Sequence, residues 1–382
     1  MKRIGHLYEK LLDIDYMEKS IHKAFLKKKK TQSIKRILNN PRKHAKRIIC
    51  LIKFGKFPSM KDRKVKLICD GKMKKRRCIT KASNYEHILH HAIIGLLESI
   101  FMRSSYRYSV ASVPGRGDLY GKRHLESWIR SYKGRKLYVL KFDIKKFFDS
   151  IDRNVMMTKL ESKIKDKRFL DILFRIVYFD NSASNRGIPI GYYTSQWFAN
   201  FYLQSFDYFI KQDMRLPHYI RYMDDGVVLL QNKRKLRKAF QQISAYLSDV
   251  LCLQIKKNWQ IYMLSYKPTW LMLEDGWNKK AHYGRPIDYM GYKFYPWKTT
   301  IRKSTLRSAM RSFRHFVKRP HVNNARSVMS YLGRLSHVQM HRFLLSKVYT
   351  IIHVSLIKDM ISKNDKEKHI WNSTNQKLCL VR

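Results

Sequence analysis

Residues 219–230 read YIRYMDDGVVLL. Two runs rich in Tyr, Ile, Val and Leu flank a short tip, Met223-Asp224-Asp225-Gly226. Apolar runs of this kind around an Asp/Gly turn read as two paired strands. A further apolar run, LYVLKFD (137–143), reads as a buried strand ending on Asp143. One aspartate in a turn or at a strand end is usually structural, because it bonds nearby backbone. Three together mean more. A sheet that sets the end of 137–143 beside the 224–225 tip gathers three carboxylates, and each raises the others' pKa unless a cation intervenes. Carboxylate oxygens suit Mg²⁺. Two such ions about 3.5–4 Å apart activate an attacking hydroxyl and steady a leaving pyrophosphate.

The rest of the chain supplies a setting for that site. It has 382 residues, with 80 Lys+Arg against 28 Asp+Glu, a formal net charge of +52. Hydrophobic residues at 44% supply a large core, so the charge does not signal disorder. A surplus this large calls for a polyanion, and nucleic acid binds such a surface by counterion release. Basic residues run through the whole chain instead of forming one amphipathic helix, which argues against a membrane surface. The start, MKRIGHLYEKLLDIDYMEKS, lacks a signal core, and no apolar run nears the ~20 residues of a membrane span. A cytoplasmic protein without membrane contact is expected. The five cysteines have no zinc or redox spacing and read as reduced thiols.

Residues 1–60 read as a basic helical extension, with Lys27–Lys30, Arg42, Lys43, Lys46 and Arg47 suited to phosphates. Residues 64–80 read as a hairpin turning at Asp70-Gly71, a two-residue signal. Its returning side carries Lys72, Lys74, Lys75, Arg76 and Arg77, fitted to a triphosphate or a nucleic-acid backbone. Residues 84–103 have helical periodicity, and His90 and His91 within them read as structural. Residues 186–196 read as a loop before a helix whose Phe198, Phe201, Tyr202, Phe206 and Phe209 face a core. From 303 on, the chain turns helical and basic again. Arg307, Arg311, Arg314 and Lys318 share one helix face and, with Arg302 and Lys303, are suited to gripping a template–primer duplex by its phosphates. The order of elements gives an α+β fold.

FDIKKFFDSID (142–152), GIPIGYYTSQ (187–196), YMDD (222–225) and IDYMGYKF (287–294), in that order, resemble the ordered motifs of reverse transcriptases across about residues 64–304. The resemblance implies an α+β right-hand polymerase. Its fingers would span 61–135 and its palm 136–298, including a 153–195 fingers–palm connection. A helical basic thumb and tail would span 299–382. By the same resemblance Asp143 and Asp224 ligate two Mg²⁺ ions, with Mn²⁺ an alternative. Asp225 supports them, and the Ile144 carbonyl completes a metal shell. Phe148 stands where an aromatic gate excludes the 2′-hydroxyl, with Phe147 beside it in the core. Arg77 matches a fingers arginine on the dNTP triphosphate, with Lys72 as a second candidate. Ile190 and Gln196 belong to the loop at the nascent pair, and Gly291 to the primer grip. The implied partners are a structured noncoding or template RNA, an RNA–DNA hybrid and dNTPs.

The loop Ile190-Gly191-Tyr192-Tyr193-Thr194-Ser195-Gln196 replaces the usual Gln-Gly pair. This form is similar to reverse transcriptases of diversity-generating retroelements, as are LQIKKNWQIY (253–262), TTIRKS (299–304) and Ser330-Tyr331-Leu332-Gly333. Those enzymes copy a template repeat with errors at adenines and act with a small basic accessory protein ring. Ile190 removes a polar check at the pair, which relaxes base discrimination. The alternatives are a defence-associated reverse transcriptase that makes DNA from a dedicated noncoding RNA against phage, a retron or intron-like role, and a non-catalytic RNA-binding scaffold. No maturase or endonuclease extension is read after the thumb, so a full intron protein is not expected. Two features depart from the family pattern. Glu86-His87 replace an Asp-Arg pair, and Trp259 holds the position of a lysine that Lys256 and Lys257 only approach.

Overall fold

Four amphipathic helices open the chain: α1 (Leu7–Leu11), α2 (Ile14–Phe25), α3 (Gln32–Asn39) and α4 (Pro41–Lys53). Asp13 caps α2 by accepting from the Tyr16 amide, and Pro41 starts α4 where its missing N–H costs nothing. The computed structural model describes residues 3–26, 28, 31–57, 64–70, 75–132, 135–179, 184–264 and 284–365. Met17, Ile21, Phe25, Ile48 and Ile52 enter the same core as the central sheet. The N-terminal helices are therefore an integral layer, with their basic residues left on the outer face.

Strands β1 (Lys64–Asp70) and β2 (Lys75–Lys81) form the expected hairpin, with Asp70 paired to Lys75. The turn expected at Asp70-Gly71 runs into residues 71–74, which lie outside the described residues. At the open end of the hairpin the Thr80 amide donates to the Ile190 carbonyl at 2.8 Å. Lys72 lies outside the described residues, as do the side chains of Arg76 and Arg77. Helix α5 (Asn84–Arg103) follows, opened by a capping box. The Glu86 carboxylate accepts from the Ser83 amide at 2.9 Å, and the Ser83 hydroxyl accepts from the Glu86 amide at 3.2 Å. Glu86 thus has a structural task at the place where the family pattern has Asp.

The chain divides into two compact units, Met1–Gly117 with Tyr138–Ile261, and Asp118–Leu137 with Tyr262–Arg382, which cut across the four sequence segments. The sheet of the first unit runs β4 (His218–Tyr222), β5 (Asp225–Leu230), β3 (Tyr138–Asp143), all antiparallel. Gln260 and Ile261, which begin β6 (Gln260–Met263), continue it beyond β3. Val139, Leu140, Val227, Val228 and Leu229 are fully buried, as a sheet covered by helices requires. Those helices include α7 (Phe147–Ser150), α8 (Arg153–Glu161), α9 (Lys167–Val177), α10 (Tyr193–Tyr202), α11 (Gln204–Tyr208) and α12 (Lys233–Asp249). Helix α10 begins at Tyr193, so Thr194, Ser195 and Gln196 occupy its first turn and not the expected loop. Contacts with α5 set that start. His91 stacks on Tyr193 at 4.0 Å, and the His90 ring lies 4.4 Å from Tyr192 and 3.1 Å from the Thr194 hydroxyl. Both histidines thus pack against the start of α10.

The second unit holds α6 (Asp118–Ser131) and a three-stranded antiparallel sheet, β7 (Ile287–Tyr289), β8 (Tyr292–Phe294) and β9 (Thr299–Ile301). Helices α13 (Lys303–Lys318), α14 (Val322–Ser336) and α15 (His341–Lys347) follow. They pack around Ala309, Phe313, Ala325, Val328, Leu332 and Leu335. Among the described residues no helix is long and apolar enough to cross a membrane.

Candidate active site

The register of β3 on β5 sets Asp143 opposite Asp225. The chain then continues past Asp143 so that the Ile144 amide donates to the Asp224 carbonyl at 3.2 Å. The strand end and the hairpin tip are thereby bonded backbone to backbone, and the three carboxylates expected together are together. Gly226 sits opposite Phe142, and a Cβ there would fall 2.2 Å from the Phe142 ring. The glycine after the aspartates is what lets the two strands close.

The tip is held in a special conformation. Met223 has φ 54°, a left-handed value that costs a non-glycine residue energy unless neighbours enforce it. Arg221 enforces it. Its guanidinium donates to the Met223 carbonyl at 2.8 Å and forks onto Asp207 at 2.8 and 2.6 Å. Asn200 accepts from the same group at 3.2 Å, and the Tyr219 hydroxyl donates to Asp207 at 2.9 Å. Arg221 and Asp207 are both buried. Neither is among the residues singled out from sequence, although a signal is present. An arginine inside the apolar strand YIRY and an aspartate inside the apolar run FYLQSFDYF are charges that folding buries only as a pair.

Within the acidic cluster, Asp224 is the strained member. Burial, then the charges of Asp143 and Asp225, push the Asp224 carboxyl up to about 6. One Asp143 oxygen, Oδ1, is buried without a hydrogen-bond partner. The other accepts from Lys256 Nζ at 2.5 Å. Lys256 arrives by backbone pairing, since its amide donates to the Asp143 carbonyl at 2.8 Å and the Lys145 amide donates to the Gln254 carbonyl at 2.7 Å. Among the described residues no three acidic, histidine or cysteine side chains form a ready-made cage for one ion. Mg²⁺ keeps waters and takes one or two carboxylates beside substrate phosphates. An unpaired buried carboxylate oxygen next to a strained carboxyl fits such an ion.

The other expected residues fall in two groups. Phe148 is half-buried against the main core while Phe147 beside it is fully buried. Lys146, before them, has φ 44° and turns the chain from β3 into α7. Ile190 and Gly191 lie against β2. Gly191 has φ +115°, and a Cβ on it would come 2.5 Å from the Thr80 carbonyl. Gln196 is exposed on the first turn of α10. Gly291 and Met290 form the two-residue turn between β7 and β8, both at positive φ, as such hairpins demand. The nearest group to a Cβ at Gly291 would be the Arg334 guanidinium, at 3.3 Å.

On α13, Lys303, Arg307, Arg311, Arg314 and Lys318 are all exposed, while Ala309 and Phe313 face the core. Arg302 is not part of that stripe. Its guanidinium bonds Asp288, and its amide donates to the Gly291 carbonyl at 3.1 Å. Changing Arg307, Arg311, Arg314 and Lys318 together to Glu should flatten the salt dependence of nucleic-acid binding. The slope of log K on log salt should fall by about 0.9 for each duplex phosphate that is no longer neutralised. Filter binding across a salt series reads this directly, and an unchanged slope would mean that other residues hold the phosphates.

Residues 27–294 match the family model described as reverse transcriptase (RNA-dependent DNA polymerase). An uncharacterized 91 kDa protein in the cob intron of Schizosaccharomyces pombe is 30% identical over 132 residues, 33% of this chain and 15% of that protein. The putative COX1/OXI3 intron 2 protein of Saccharomyces cerevisiae is 28% identical over 133 residues, again 33% of this chain and 15% of that protein. The match thus spans under a sixth of either relative. Among solved structures, apo telomerase from Candida tropicalis, truncated from its C-terminal domain, aligns with a TM-score of 0.45 and 13% identity, over 66% of this chain and 58% of that one. Telomerase from Candida albicans with a TWJ fragment of telomeric RNA aligns with a TM-score of 0.45 and 13% identity, over 79% and 58%.

Proposed function

This chain belongs to the reverse transcriptase family, and from that premise we propose that it is an RNA-directed DNA polymerase working by two-metal nucleotidyl transfer on a structured RNA. The observation that carries the proposal is the meeting of Asp143, Asp224 and Asp225, with a buried Asp143 oxygen left unpartnered and the Asp224 carboxyl pushed up to about 6. Bound Mg²⁺, or Mn²⁺, would supply the positive charge that activates a primer hydroxyl and stabilises leaving pyrophosphate. Asp143, Asp224 and the Ile144 carbonyl hold the ions, and Asp225 supports them. Arg77 and Lys72 hold the triphosphate, and Phe148 bars the 2′-hydroxyl. Gly291 lets the primer approach closely, and the α13 stripe holds the duplex. Extension of a DNA primer annealed to RNA, with dNTPs and Mg²⁺, tests the activity. Incorporation that survives loss of Asp224 would contradict these roles.

The finer reading is a diversity-generating retroelement enzyme, supported by the sequence of residues Ile190–Gln196. Ile190→Gln should then copy adenines more faithfully, as read by sequencing the product, and unchanged misincorporation would remove this reading. A small basic accessory ring belongs to the same reading. The names of the two intron relatives favour a second one, a mobile-intron enzyme. Faithful or short repetitive product would point instead to phage defence.

A further inference from the structure

Within the second unit, the segment between β8 and β9 folds back on itself, the Tyr295 amide donating to the Lys298 carbonyl at 2.9 Å. It lines a cavity of about 140 Å³ together with Lys122, Glu126, Ile129 and Arg130 of α6 and Gln339. The Tyr295 and Trp297 rings stand 5.5 Å apart at 38°, and Lys298 Nζ lies 5.9 Å from the Tyr295 ring centre. Lys122 and Arg130 also line it, and the one acid there, Glu126, is paired with Lys122 at 2.8 Å. Among the described residues, Arg130 and Lys298 of the lining have no carboxylate partner. The strand β8 separates this cavity from the Gly291 turn, so it is not the primer-grip turn itself.

Three properties identify the ligand. The volume is close to the roughly 150 Å³ that accepts a single aromatic ring. Two half-buried rings offer a stacking surface, which takes any base because every base has a flat face. Two cations at the rim suit one phosphate. A base inside a duplex is already stacked and cannot enter, whereas an unpaired one can be splayed onto aromatic rings. We propose that this cavity is a slot for one unpaired nucleotide of a bound RNA, its base stacked on Trp297 and Tyr295 and its phosphate held by Lys298 and Arg130. RNA as the source rests on the polymerase reading. The slot anchors the RNA away from the templating position, so it reads neither template sequence nor the incoming nucleotide.

The test is photo-cross-linking of the full chain to a short single-stranded RNA carrying one 4-thiouridine, with the attached peptide sequenced. A cross-link within 295–298 is expected, and cross-links confined to other segments would overturn the proposal. Binding of the same RNA should weaken about 5- to 100-fold in Trp297→Ala and recover largely in Trp297→Phe. Replacing the cross-linked nucleotide by an abasic one should erase the difference between the wild type and Trp297→Ala. An equal loss on abasic and intact RNA would mean that Trp297 acts through folding, and would also overturn it. Single-stranded DNA and AMP are run as competitors. Competition by RNA well above both is expected, while displacement by AMP at a similar concentration would assign the slot to a free nucleotide and sink the RNA assignment. Primer extension by the wild type is measured alongside. Extension without the 295–298 cross-link removes the slot alone, and the cross-link without extension removes the polymerase reading alone.

Discussion

Asp224→Asn is expected to give a chain that is more stable than the wild type without divalent ions and inactive with them. The side chain is mostly buried beside Asp143 and Asp225, and its carboxyl is pushed up to about 6 from an ordinary value of 3.8. Holding it ionised therefore costs on the order of 3 kcal/mol, at about 1.4 kcal/mol for each tenfold gain in proton affinity. The sign follows from linkage. A carboxyl raised in the fold stabilises it at low pH, and that stability is lost as pH rises through about 6. Asparagine carries no charge, so the gain in melting temperature over the wild type should be present above pH 6 and shrink below it. Asp143 and Asp225 are the charges that act on this position, and the same substitution leaves them in place. Added Mg²⁺ should reverse the order, because an ion bound by the native wild type stabilises only that chain. Primer extension should fall about a thousandfold or more, since the charge stabilisation removed amounts to several kcal/mol. Thermal melts in EDTA and in Mg²⁺, across pH, separate this outcome from simple misfolding. A variant less stable than the wild type in EDTA above pH 6 would show that the cluster is not a strained, cation-seeking site.

The second large effect belongs to the buried pair beneath the tip. Asp207→Ala leaves the Arg221 guanidinium buried without its counter-charge and should cost about 3–5 kcal/mol of stability. The double change Asp207→Leu with Arg221→Met should recover much of that, because apolar side chains of similar size often replace a buried ion pair without loss. Activity should not recover with it. The double variant still lacks the donor that holds the Met223 carbonyl, and the left-handed tip loses its tether. Chemical denaturation and primer extension on the same samples therefore diverge. If extension returned along with stability, Arg221 would be a packing residue and not one that positions the aspartates.

What could be read from the sequence follows physical locality. Asp143, Asp224 and Asp225 were legible because each ends or caps an apolar strand, and antiparallel pairing leaves few ways to join those strands. Helix α5 was legible too, from the helical periodicity of residues 84–103. The start of α10 was not, because Tyr192 and Tyr193 take their places from His90 and His91, a hundred residues earlier in the chain. Lys256 shows the same effect at the site. By position it approaches the family's lysine without matching it, yet pairing of residues 254–256 with 143–145 delivers its ammonium to Asp143. Arg221 and Asp207 were readable as a pair of charges in apolar runs, but only tertiary structure shows that the pair carries the Met223 carbonyl.

Three aspartates should make this chain copy RNA into DNA. The most direct measurement purifies the full chain with whatever RNA it carries, adds dNTPs and Mg²⁺, and sequences both the RNA and any DNA made. The Asp224→Asn protein is treated in the same way. DNA complementary to the bound RNA from the wild type, and none from the variant, is the predicted result. Bound RNA with no DNA from either protein, or equal DNA from both, would contradict the account.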